Sequence, residues 1–132
     1  MYIGGIIELL IAVLHFIWPF ELIETGEYAM LSGQYRDLLF LSSISIGLCL
    51  CIFGILSIYF SRKLMNGEKS ALVYGTSQAI LWGGRSVGEL LFPVSIPMYF
   101  IQNPTIFVLP LSLFLSLLFL APLFIRRFFW NE

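Results

Sequence analysis

Five polar side chains stand inside apolar stretches of this sequence. Glu8 and His15 share one stretch, and Gln78, Arg85 and Glu89 share another. A carboxylate holds or exchanges a proton, and an imidazole titrates near neutral pH. A guanidinium grips anions or carbonyl oxygens through a planar fork. Inside a bilayer such groups are costly, about 2.5–3.5 kcal/mol each for a charged residue on insertion scales, so each needs a partner or a function. Glu8 and His15 are seven residues apart and share a helix face, about two turns from each other. Gln78, Arg85 and Glu89 share a face with Trp82 between them. Each also has a structural reading. Arg85 and Glu89 form an i,i+4 pair that can neutralise itself. Glu8 is about two turns from the first residue and can extend toward water. His15 can act as a core hydrogen-bonder. As a lone His with no Cys or Asp at ligand spacing, it predicts no metal site.

The surrounding composition explains why these residues stand out. The chain has 132 residues, 59% hydrophobic and only 11% charged. Its mean hydropathy is +0.94. Soluble domains carry about 25% charge. A small soluble domain leaves too much surface exposed to hide this much apolar material. The composition predicts an integral membrane protein and excludes a disordered chain. Seven Lys+Arg against eight Asp+Glu give no basic footprint, so no nucleic-acid partner is expected.

A bilayer core of roughly 30 Å takes about 20 apolar residues as a helix. Four stretches meet that length, at about 2–20, 38–60, 71–92 and 105–125. The expected fold is therefore all-α, an integral membrane four-helix bundle forming a single domain over 1–132. Trp18-Pro19 is expected to close the first span with an interfacial aromatic and a helix breaker. Asn66-Gly67 reads as a polar turn, and Asn103-Pro104-Thr105 as a helix start with Asn as N-cap. Pro110 is expected to bend the fourth span. Arg126, Arg127, Phe128, Phe129 and Trp130 read as an anchor after it. With four crossings, Arg62, Lys63, Lys69, Arg126 and Arg127 lie on the side of both termini, and Arg36 lies opposite. The positive-inside rule then predicts cytoplasmic N- and C-termini. Glu21, Glu24, Glu27 and Asp37 make the outer first loop acidic, with room for an interfacial helical turn between Glu21 and Tyr35. The start of the chain lacks a basic n-region and carries Glu8, so it reads as a retained span rather than a signal peptide.

Small residues recur along the second span at Ser43, Gly47, Cys51 and Gly54, a spacing that lets helices approach closely. Ser112 and Ser116 fit the same role in the fourth. Cys49 and Cys51 differ by about 200° in direction on a helix, so they are expected to stay unbridged.

Spans one and three run in the same direction. Glu8 then falls level with Gln78, His15 with Arg85, and Glu89 with Trp18. The two polar stripes are expected to meet as a ladder around a pocket. Gly83-Gly84 and Gly4-Gly5 would thin its walls. Phe92, Pro93, Pro97, Met98, Tyr99 and Phe100 would form a re-entrant or interfacial cover. The expected ligand-binding set is His15, Arg85, Glu89, Glu8, Gln78, Trp82 and Trp18, suited to a small lipophilic molecule.

The Gly4-Gly5 opening, the Leu14-His15 to Trp18-Pro19 segment and the Gly83-Gly84-Arg85 patch give the chain its likeness to known families. Its plan resembles small four-span bacterial membrane proteins of the DoxX-like and DUF4345-like kind. Such families include subunits linked to quinone oxidoreductases, so the resemblance implies a quinone-like, redox-linked ligand. Tyr2-Ile3-Gly4-Gly5 followed by Glu8 also looks like the first span of small multidrug resistance transporters, whose intramembrane Glu exchanges protons and cationic drugs. Here Glu8 sits near the cytoplasmic end, the Lys/Arg bias opposes dual topology, and Arg85 opposes a cation. Three functions follow from the residues: a pocket for a lipophilic ligand, an accessory structural subunit of a larger membrane complex, and a small proton-coupled transporter using Glu8. The partners to expect are the lipid bilayer, a lipophilic small molecule, and a homo-oligomer or a larger membrane complex. No nucleophile–base pair, dinucleotide loop or metal cluster is visible, so no catalytic residue and no cofactor is assigned.

The ladder makes one direct prediction. Cysteines replacing His15 and Arg85 should be joined by a short thiol cross-linker in membranes. Failure at this pair, with success at neighbouring control pairs, removes the ladder.

Overall fold

The computed structural model describes residues 1–24, 30–94 and 103–129. Four helices carry almost all of them: α1 (Tyr2–Glu24), α2 (Gly33–Met65), α3 (Lys69–Leu91) and α4 (Thr105–Phe129). No strand occurs among the described residues. Among the described residues three segments are long and apolar enough to cross a membrane: Tyr2–Glu21, Gly33–Met65 and Thr105–Pro122. α3 is not among them, because Gln78, Arg85, Glu89 and its many Ser and Gly residues dilute its apolar content. Leu10, Leu48, Ile52, Ile55, Ile106 and Leu117 are exposed on the three apolar helices, as lipid contact requires.

The helix ends follow local chemistry. α2 stops in a Schellman motif. Gly67 takes φ 75°, a left-handed conformation that suits glycine. Its N–H reaches Leu64 O at 3.0 Å, and Glu68 N reaches Lys63 O at 3.1 Å. Glu68 then starts α3, and its carboxylate accepts from Lys63 Nζ at 3.0 Å. α3 ends where Phe92 N bonds Gly88 O and Pro93 bars a further turn. Pro97, Met98, Tyr99 and Phe100, the rest of the expected cover, lie outside the described residues, as do residues 25–29 of the first loop and Trp130.

The chain forms two compact units. One is Gly5–Leu56; the other is Met1–Gly4 with Ser57–Glu132. In the first unit α1 and α2 meet through glycine notches. A Cβ on Gly47 would lie 2.9 Å from the Phe16 ring, and one on Gly54 would lie 2.8 Å from the Gly5 carbonyl. Close backbone approach is therefore built in at both positions. Phe20 and Phe40 meet edge to face at 5.5 Å. Cys49 and Cys51 are both free.

α1 does not end at Pro19. The helix runs through it to Glu24. Proline lacks the N–H that would bond the carbonyl four residues earlier, which is His15 O. Ser43 of α2 donates its hydroxyl to that same carbonyl at 2.8 Å. The neighbouring helix thus replaces the missing donor, and the breaker is tolerated.

In the second unit α3 packs against α4. Leu115 and Phe119 are fully buried, and the Phe119 ring leaves no room for a side chain on Gly4. Phe60 stacks on Tyr74 at 4.8 Å, joining the end of α2 to the start of α3. α4 passes through both Pro110 and Pro122 without ending.

Ser43→Ala should cost about 1–3 kcal/mol, the penalty of stranding a carbonyl acceptor away from water. On a Pro19→Ala background, which restores the backbone donor, the same change should cost almost nothing. Unfolding of the four proteins in mild detergent measures the coupling; equal losses on both backgrounds would refute it.

Candidate functional site

One face of α3 gathers the polar groups of the second unit. Its buried residues are Ala71, Gly75, Gln78, Ala79, Trp82, Ser86 and Glu89. They recur at three- and four-residue spacing, so they form one stripe. α4 answers with hydroxyls at Thr105, Ser112 and Ser116. Ser116 donates to Ala79 O at 2.9 Å. Ser86 donates to Ser112 Oγ at 2.9 Å, and Ser112 donates onward to Leu109 O. Gly83 sits where a Cβ would come within 3.2 Å of Ser116 Oγ. Small residues on one helix and hydroxyls on the other make this seam.

At the end of the seam lies Glu89, whose side chain has no solvent exposure. Its Oε1 accepts from Thr105 Oγ1 at 2.7 Å and from Val94 N at 2.9 Å. Its Oε2 lies 2.6 Å from Arg85 Nη1. One carboxylate therefore fastens the end of α3 to the start of α4 and neutralises an arginine. The arginine is differently placed: 40% of its side chain is exposed. Arg85 is an exposed residue beside the buried stripe, with Nη1 of its guanidinium paired to Glu89. The i,i+4 pairing read from sequence is present, and Glu89 has two further donors that the sequence reading did not name.

At the other end, Gln78 is 3% exposed. Its Nε2 donates to the Tyr74 hydroxyl at 3.1 Å, which is hydrogen-bonded to Ser57 Oγ at 3.1 Å. Its Oε1 has no hydrogen-bond partner among the described residues. Trp82 is buried between the two ends.

The remaining expected residues belong to the first unit. Glu8 is fully buried rather than extended toward water. His15 is half-buried, and its Nδ1 lies 2.9 Å from Ile11 O. A carbonyl can only accept, so Nδ1 is the donor in this bond. Trp18, one turn on, is half-buried, and its buried Nε1 has no partner among the described residues. The structure thus divides the seven expected residues into Glu8, His15 and Trp18 in one unit and Gln78, Trp82, Arg85 and Glu89 in the other. Among the described residues no group of three His, Cys, Asp or Glu side chains could hold a metal ion.

The sequence reading missed Thr105, Ser86, Tyr74 and Ser57 as members of the polar system. Tyr74 and Ser86 stand one turn from Gln78 and Glu89, which was the available signal. Thr105 gave none, because its bond to Glu89 crosses 16 residues.

No family model matches this chain, and no curated protein or solved structure matches it either.

Arg85→Ala should destabilise the protein by about 3 kcal/mol or more, because it strands a buried carboxylate. Adding Glu89→Gln should return part of that loss. The amide oxygen still accepts from Val94 and Thr105, and no charge is left unpaired. Denaturation midpoints of the single and double variants check this. A double variant weaker than Arg85→Ala would contradict it.

Proposed function

We propose that this protein crosses the bacterial inner membrane four times and binds the polar head of a small lipophilic or quinone-like molecule at Arg85. The observation that carries the reading is the division of labour within the Arg85–Glu89 pair. Glu89 is sealed and holds one guanidinium nitrogen at 2.6 Å, while 40% of the Arg85 side chain faces outward. An arginine has five N–H donors, and a single carboxylate oxygen does not use them all. Held in one orientation, the guanidinium offers its remaining donors to a carbonyl or anionic group without first losing side-chain freedom. In apolar surroundings such donors bind strongly, because water does not compete for them.

Two features support a fourth crossing by α3. It has 23 residues, about 35 Å of helix. Its polar face is turned inward, with Ser86 bonded to Ser112 of α4 and Glu89 to Thr105. A helix of modest apolar content spans when its polar residues face protein rather than lipid. Four crossings put Arg62, Lys63, Lys69, Arg126 and Arg127 together on the cytoplasmic side with both termini.

Two measurements test the reading. A lipophilic quinone and a long-chain carboxylate, added separately to the purified protein, should show a thermal shift with at least one. Arg85→Lys keeps the charge but loses the fork, so most of that shift should vanish. No shift with either probe, or an equal shift in Arg85→Lys, overturns the binding role. Native mass spectrometry that finds a stoichiometric second chain and no bound lipophile would assign an accessory-subunit role instead. For topology, Cys49 and Cys51 are first replaced by Ala. A cysteine at Asn66 should then react with an impermeant maleimide only after permeabilisation, and one at Ser32 in intact cells. The reverse pattern refutes the orientation.

A further inference from the structure

Gln78 poses a question that the Arg85 site does not answer. Gln78 is 3% exposed, yet only one end of its amide is bonded among the described residues. Nε2 is used by the Tyr74 hydroxyl, and that hydroxyl also meets Ser57 Oγ. Oε1 is sealed from solvent and bare among the described residues. A buried acceptor without a donor is costly in an apolar interior, so a native protein keeps one for a reason.

Gly75 lies one turn before Gln78 on the same buried face. A Cβ built there would meet only ordinary contacts, the nearest being Met1 Sδ at 3.5 Å. The place a side chain would take at Gly75 is bordered by the Met1 thioether and the Phe119 carbonyl. Methionine is unbranched and repacks easily.

We propose that the Ser57–Tyr74–Gln78 cluster is a second, uncharged binding site, which takes the hydroxyl of a small apolar molecule. The guest moves the Met1 thioether off Gly75 and donates its O–H to Gln78 Oε1. The site takes a donor and not an ether or ketone, because the open group is itself an acceptor. Phe60, stacked on Tyr74, adds an aromatic surface at the cluster. This site is separate from Arg85, about two turns along α3, and does not depend on that reading.

The test uses the full chain in an amine-oxide detergent, which has no hydroxyl of its own. Para-octylphenol and its methyl ether are compared as probes by thermal shift and by titration. The phenol should bind about tenfold more tightly than the ether, the value of one good hydrogen bond. Gln78→Met and Gln78→Leu should both fold, since each removes an unsatisfied amide. In both, the preference should fall to about onefold. Gly75→Val should weaken both probes together by filling the notch. Equal binding of phenol and ether to the natural chain overturns the proposal. So does a preference that survives in Gln78→Met and Gln78→Leu, or a failure of the phenol to bind.

Discussion

A polar group in a bilayer has no water to fall back on, so protein must supply every donor and acceptor it needs. In the first unit Pro19 removes a backbone donor from α1, and Ser43 of α2 supplies a replacement to the His15 carbonyl. In the second unit the carboxylate of Glu89 forms an ion pair with Arg85 and accepts hydrogen bonds from Val94 and Thr105. Each arrangement turns a local deficit into a bond between two parts of the chain. The positions of α2 on α1, and of α4 on α3, are tied to these bonds.

The two helix pairs use different means of close packing. α1 and α2 rely on glycine notches at Gly47 and Gly54, filled by Phe16 and by the turn carrying Gly5. α3 and α4 rely on hydroxyls, with Ser86 on Ser112 and Ser116 on the Ala79 carbonyl. Membrane helices gain little from apolar contact alone, because lipid is equally apolar. Shape matching and hydrogen bonds must therefore do what the hydrophobic effect does in water. The glycine pair can stay strongly apolar, whereas the hydroxyl pair makes α3 too polar to read as a simple span.

Where the accounting of donors and acceptors does not close, function has room. Arg85 has donors beyond those that Glu89 uses, and it faces outward. Gln78 is buried and has an acceptor that nothing among the described residues uses. The first suits a carbonyl or an anion, the second a hydroxyl. Both depend on rigid neighbours. Glu89 orients the guanidinium, and Tyr74 with Ser57 orients the amide.

Composition and periodicity alone determined the helical class, the rough placing of the four helices and the short turn at Asn66-Gly67, though not helix length, since α2 runs Gly33–Met65 where 38–60 was expected. These are local properties, set by how many apolar residues run together and where glycine or proline interrupts them. The i,i+4 pairing of Arg85 with Glu89 was legible for the same reason, since one helix holds both residues. Tertiary structure decided the rest. Pro19 looked like a helix end, and it is not one because a serine 24 residues later completes the broken bond. Thr105 looked like a helix start, and it is also a partner of Glu89 across a connection whose contacts no spacing rule encodes. Arg85 and Glu89 read as equals in sequence, yet one is exposed and the other sealed. That difference depends on which neighbour covers each face of α3, and only packing settles it.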